Sequence, residues 1–149
     1  TSSLEEEAPK KCGYFRLGMR HGPTTDNLDH GTAENGTATH ANYCWSDHLT
    51  KVVNDGKLRG ELTESFESED AKTWVVNLRE GVEFHNGKTL DANDVIATID
   101  YHRSEDSKSA VNVLLSAISS IKADGANRII IELSGTNADF PLIVSDHHL

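Results

Sequence analysis

Basic residues are scarce in this chain: 14 Lys and Arg stand against 24 Asp and Glu, a formal charge of −10. Nucleic-acid binding needs a basic patch that displaces counterions from phosphates, so that class is set aside. The acidic balance weakly favours neutral or cationic ligands. Many soluble proteins are acidic without functional meaning, so the charge carries no function further. Long apolar runs are missing as well, and none approaches the ~20 residues of a membrane helix. The opening TSSLEEEAPKK is polar and acid-rich and lacks the apolar core of a secretory signal. That leaves a cytosolic protein or one whose signal has been removed. Only two cysteines occur, Cys12 and Cys44. A bridge between them would be worth about 3–4 kcal/mol in the chain-entropy account and would need an oxidising compartment. Two free thiols is the preferred reading, and no apolar lipobox-like segment precedes Cys12 to mark it as a lipid anchor. A G-x-S-x-G nucleophile elbow and a Gly-rich phosphate loop are both absent, which removes two common enzyme signatures.

What is present suits one ordinary domain: 149 residues, 36% of them hydrophobic, with 11 Gly are enough for a real core. The stretch FHNGKTLDANDV (Phe84–Val95) raises the question of a site because of its crowded polar groups. A calcium loop beginning at Asp91 would need an oxygen ligand at its fifth position and Gly at its sixth, where Val95 and Ile96 stand. A helix start fits better. Asp91 is the N-cap, Asp94 its capping-box partner, and Leu90 with Val95 a hydrophobic staple. Ala92, Val95, Ile96 and Ile99 then recur on one helical face, which predicts a helix from Asp91 to about Arg103. Asn86-Gly87 marks a turn before it.

Elsewhere, residues 1–12 read as a disordered tail. GYFRLGM (Gly13–Met19) alternates like a strand, and Arg20–Gly36 is a long polar loop, a kind that is often functional. A helix is expected over Thr37–Leu49, with Ala38, Ala41 and Trp45 along one stripe. HLTKVVNDGKL reads as a short strand entering an Asp55-Gly56 turn, and RGELTESFESEDAKT as an exposed acidic stretch. Thr73–Arg79 alternates as a strand with one buried face. Val111, Leu114, Leu115 and Ile118 form a short helical face, two strands flank Asp124-Gly125, and NADFPLIVSDHHL begins a helix or turn. The order β, α, β, β, α, α, β, β, α has hairpins and no repeating βαβ unit. It predicts an α+β fold with a mixed or mainly antiparallel sheet.

Candidate chemistry is thin. His40, Cys44 and His48 fall at i, i+4 and i+8, one stripe of a helix with donors suited to zinc, nickel or copper. A straight helix turns the outer pair apart, and a fourth ligand would have to come from elsewhere. Ser-Asp-His occurs twice, at Ser46–His48 and Ser145–His147, but a triad converges in space and sequence neighbours diverge. His147 and His148 read as surface residues. No catalytic residue and no cofactor is assigned.

The succession of segments carries more. YFRLGM…PTTDNLD is followed by a helix, then DGKLRGELTESFESEDAKTWVVNLREGVEFHNGKTLDANDVIATIDYHR, and later IKADGANRIIIELSGTNADFP. From Gly13 onward this resembles the N-terminal part of the family 5 extracellular solute-binding proteins, the peptide- and nickel-type receptors of bacterial ABC importers. Glu61, Leu62, Glu64, Ser65 and Phe66 hold one motif block. Thr73, Trp74, Leu78, Arg79, Gly81, Val82, Phe84, His85, Gly87, Leu90, Ala92, Asp94 and Val95 hold the next. His30 and Gly60 stand where the pattern has Pro, and Phe66 where it has Trp.

The resemblance implies a lobe of the type II periplasmic-binding-protein kind, in a two-lobed periplasmic receptor that closes on its ligand. It implies a division into residues 13–33, the first strand and loop of the larger lobe, and 34–149, a small N-terminal α+β subdomain. The second lobe would be missing, making the chain a fragment able to self-associate through its exposed interlobe face. The ligand would lie against the segment after the first strand, giving Glu34, Asn35, Gly36, Thr37 and Thr39 as candidate contacts. Backbone groups and short side chains there suit peptide-like solutes, and Glu34 could pair with a ligand ammonium; alternatively, Glu34 and Thr37 only cap the helix. The implied partners are a small solute, peptide first, and the permease subunits of the importer. A nickel or other metal chelate, a polyamine or an oligosaccharide is the alternative ligand. A metal-dependent enzyme domain ranks last.

Overall fold

The computed structural model describes residues 12–20, 24, 27–33 and 35–149. After a 3-10 turn at His30–Thr32 come helix α1 (Gly36–Trp45), strands β1 (Thr50–Val52), β2 (Leu58–Gly60), β3 (Thr63–Glu67) and β4 (Thr73–Leu78), and helices α2 (Ala92–Arg103) and α3 (Asn112–Leu115). Strands β5 (Ile118–Ala123) and β6 (Arg128–Leu133) and helix α4 (Phe140–Ile143) follow. Strands β1 and β2 pair with each other, while β3-β4-β6-β5 form a four-stranded sheet. Every pairing is antiparallel, so the α+β reading holds.

Period-two patterning builds the sheet. Trp74, Val76 and Leu78 of β4 are buried, as are Ile129, Ile131 and Leu133 of β6. The register sets Val76 opposite Ile129 and Trp74 opposite Ile131, which puts both apolar rows on one face. Ala92, Val95 and Ile99 of α2 close over that face with Val111, Leu115, Phe140 and Val144. Each large aliphatic side chain removed from water there contributes about 1.5–3 kcal/mol. Phe66, Trp74 and Phe140 complete one end of the core, with ring centroids 5.3–6.2 Å apart.

The polar crowd before α2 is local structure. Asp91 Oδ1 accepts from the Asn93 and Asp94 amides at 2.7 and 3.2 Å, and Asp94 Oδ2 accepts from the Asp91 amide at 3.0 Å. Lys88 pairs with Asp94. Asn86 Oδ1 accepts from the Lys88 amide, and Gly87 supplies the positive φ of 83° that the turn needs. A second Asx turn joins β3 to β4. The Asp70 carboxylate accepts from the Thr73 and Lys72 amides at 2.7 and 2.8 Å, and these bonds, with help from the Ser68 and Thr73 hydroxyls, lower its pKa to about 2.

Several expectations are corrected. Gly13–Met19 is not a strand: it has no regular structure and is exposed, with Tyr14 99% and Phe15 88% accessible. Its alternation finds no pairing strand among the described residues, and a strand exists only through its ladder. The expected tail lies outside the described residues up to residue 11. Helix α1 stops at Trp45, and Ser46 turns extended. The stretch read as an exposed acidic segment contains the end of β2 and all of β3, with Thr63 fully buried and its hydroxyl donated to the Leu49 carbonyl at 2.9 Å. Gly60 sits at the corner between them, where a Cβ would lie 2.3 Å from the Thr63 carbonyl oxygen. Helix α3 is a single turn, because Ile118 opens β5 instead of extending a helical face, and Leu114 is 45% exposed.

Candidate functional site

The first turn of α1 holds the candidate ligand contacts that can be described. Asn35 is extended, at φ −130°, and its Oδ1 accepts from the Thr37 and Ala38 amides at 3.0 and 3.1 Å. Asn35 is therefore the N-cap, the role that the sequence offered to Glu34 and Thr37 as the alternative to ligand contact. Gly36 is exposed, Thr37 and Thr39 are half-buried, and the Thr37 hydroxyl is buried with no hydrogen-bond partner. Glu34 lies outside the described residues. The turn offers small side chains and the positive end of a helix, a setting that suits a ligand carboxylate.

The His40, Cys44, His48 stripe does not assemble. Its last member lies beyond the end of α1 at Trp45. His40 and Cys44 are exposed, whereas His48 is buried, with Nδ1 3.7 Å from Glu61 Oε2. Cys12 and Cys44 are free and exposed. Neither Ser-Asp-His run forms a relay: Ser46 Oγ donates to the Asn42 carbonyl and Ser145 Oγ to the Leu142 carbonyl.

The chain brings a different group of histidines together. Among the described residues, Asp146, His147 and His148 are the one set of three His, Cys, Asp or Glu side chains whose ligand atoms lie within 4.8 Å of one another. Their side chains are only 32%, 28% and 12% exposed, not the surface residues expected. His102 is buried, with Nδ1 2.8 Å from Ser109 Oγ. Burial lowers the pKa of His30, His48, His102 and His147, and neighbouring imidazoles push each of them further down. Burial raises Asp146, but hydrogen bonds from His148 and the nearby imidazoles outweigh it and leave the carboxyl below its ordinary value.

An open cleft of about 410 Å³ lies beside α1, walled by His30, Tyr43, Trp45, Glu83, Phe84 and His85. His30 meets Trp45 edge to face at 4.6 Å, and His85 Nε2 lies 2.9 Å from the Trp45 carbonyl oxygen. The sequence placed Trp45 on one stripe with Ala38 and Ala41 and missed this wall. Exposed aromatics at the end of a helix were the available signal.

Residues 57–149 match the family of bacterial extracellular solute-binding proteins, family 5 Middle. The chain belongs to this family. The oligopeptide-binding protein AppA of Bacillus subtilis (strain 168) is 28% identical over 142 residues, covering 93% of this chain and 26% of AppA. The chain thus spans about a quarter of the length of the curated relative it matches. Among solved structures of this fold, AgaA from A. tumefaciens R10, in complex with agropinic acid, aligns with TM-score 0.76 and 27% identity over 79% of this chain and 24% of AgaA. NikA from Brucella suis, in complex with Fe(III)-EDTA, aligns with TM-score 0.61 and 28% identity over 72% of this chain and 22% of NikA. The β4-to-α2 segment that suggested family 5 membership from sequence falls inside the matched region, as scaffold: a strand, a turn and a capped helix.

Proposed function

We propose that this chain is the small N-terminal part of a periplasmic family 5 receptor that captures an oligopeptide- or dipeptide-like solute and delivers it to an ABC permease. The observation that carries this reading is the family match over residues 57–149, together with likeness along 93% of the chain to an oligopeptide-binding protein. In this reading residues 13–33 contribute a strand and loop to a larger lobe, which accounts for the alternating but unpaired Gly13–Met19. Residues 34–149 are the subdomain, and Glu34, Asn35, Gly36, Thr37 and Thr39 face the solute from the start of α1. Without the larger lobe, the cleft beside α1 is a surface through which copies of the chain can associate. A metal-chelate or opine solute is the second reading, favoured by the agropinic acid and Fe(III)-EDTA complexes of AgaA and NikA.

The test is a thermal-shift panel of di- to pentapeptides, opines, nickel and iron chelates, polyamines and short sugars, run on this chain and on the longer protein that carries it. A solute that binds only the folded state raises the melting temperature by mass action, about 2.7 kcal/mol at a hundredfold excess over Kd. Stabilisation of the longer protein by peptides is expected, with loss in Thr37→Arg, whose bulk would fill the first turn of α1. Stabilisation by chelates or opines alone would overturn the peptide assignment.

A further inference from the structure

The C-terminal turn carries a group that lies outside the proposed solute contacts. Helix α4 ends at Ile143, and the chain closes a turn in which the His148 amide donates to Asp146 Oδ1 at 3.0 Å. His148 Nδ1 lies 2.6 Å from the same oxygen. That turn accounts for Asp146 and His148. It does not account for His147, whose Nδ1 is held 3.6 Å from Asp146 Oδ1, outside hydrogen-bond reach. The two imidazoles stack with centroids 3.9 Å apart and planes inclined at 39°. His147 also lies against the Ala33 backbone, the kind of outer contact that fixes the orientation of a histidine ligand. Two imidazoles and a carboxylate therefore converge on one half-buried point still reachable from solvent.

We propose that Asp146, His147 and His148 form a binding site for a divalent first-row transition metal, with zinc as its simplest occupant. Two nitrogens and one oxygen suit zinc, nickel or copper rather than calcium or magnesium. Bonds near 2.0–2.1 Å in tetrahedral array set ligand atoms about 3.4 Å apart. The 3.6 Å separation already meets this, and the 2.6 Å pair needs only a small side-chain rotation. Zinc replaces the proton between His148 and Asp146, that proton moves to Nε2 of the same ring, and water takes the fourth position. Metal binding needs the neutral imidazole, so protons compete with zinc for both rings. The site lies on a different segment of the chain from His40, Cys44 and His48.

Calorimetric titration of the chain with zinc chloride tests this. One equivalent is expected to bind with micromolar Kd, at least tenfold more weakly in His147→Ala and in Asp146→Asn, and progressively more weakly as the pH falls from 7 to 5.5. His40→Ala and Cys44→Ser should bind as the unchanged chain does. His147→Ala is the decisive variant because its ring is not part of the turn's hydrogen bonding, and an unchanged circular dichroism melt confirms that it folds. No saturable binding, an unaltered Kd in His147→Ala, or loss of binding in His40→Ala instead would each overturn the assignment.

Discussion

His30, His48, His102 and His147 all have pKa values below the ordinary 6.5, burial being the first cause in each. A histidine whose folded pKa is depressed binds fewer protons folded than unfolded. Its contribution to stability is therefore present above the unfolded pKa, near 6.5, and is lost as pH falls toward the folded value. The urea midpoint of the chain should fall between pH 7 and pH 5. Replacing His102 by Gln should flatten that slope, even where it lowers stability throughout by disturbing the contact with Ser109. His102 is faced by Asp29, His30 and His148, so any remaining slope belongs to its neighbours. A second loss, below about pH 4, follows from the lowered Asp70, Asp94 and Asp146 carboxyls. An unchanged midpoint across the upper window would refute the assignment of these rings as neutral and buried. At this scale the sequence was half legible. Asp91 and Asp94 declare themselves, because a cap is a matter of neighbours three residues apart. The meeting of His147 with Ala33 and of His102 with Asp29 depends on how distant segments pack, and nothing in either residue's surroundings announces it.

Helix α2 is the best test at the scale of elements. Its capping box, its Lys88 to Asp94 ion pair and its buried Ala92, Val95 and Ile99 all point to one helix. Asp91→Ala removes the acceptor for two first-turn amides and should cost about 1 kcal/mol. In a denaturant melt this should appear as a lower midpoint at unchanged slope. No change would mean that water or Asp94 satisfies the freed amides. Strands β4 and β6 were equally readable, since each buries a whole row on one side. β3 was not: the residues it lays against β4 include Thr63, Ser65 and Glu67, and its strand character comes from pairing. Gly13–Met19 shows the converse, a strand-like pattern with no described neighbour. The first turn of α1 was located, but the capping alternative named Glu34 and Thr37 rather than Asn35, since all three carry acceptors and only backbone geometry chooses among them.

For the whole molecule, the fold class and family were legible because a long block of scaffold lies in one piece of chain. The cleft was not, because it joins His30 and the end of α1 to residues 83–85 far along the chain; His147 and His148 were visible as neighbours, but their burial was not. The strand order β3-β4-β6-β5 also sets a timetable. The β5–β6 hairpin closes over the short Asp124-Gly125 turn, at small entropic cost. The joint between β4 and β6 has to wait until α2, α3 and β5 have been gathered between them, a long-range closure that slows assembly. Pulse-labelled amide exchange should find β5 protected early and β3 late. Simultaneous protection would mean that collapse of the core, rather than strand order, governs the clock. During that interval one flank of β6 has no partner, so newly made chains are most vulnerable to sticking to one another there, at the strand that ends up among the most deeply buried.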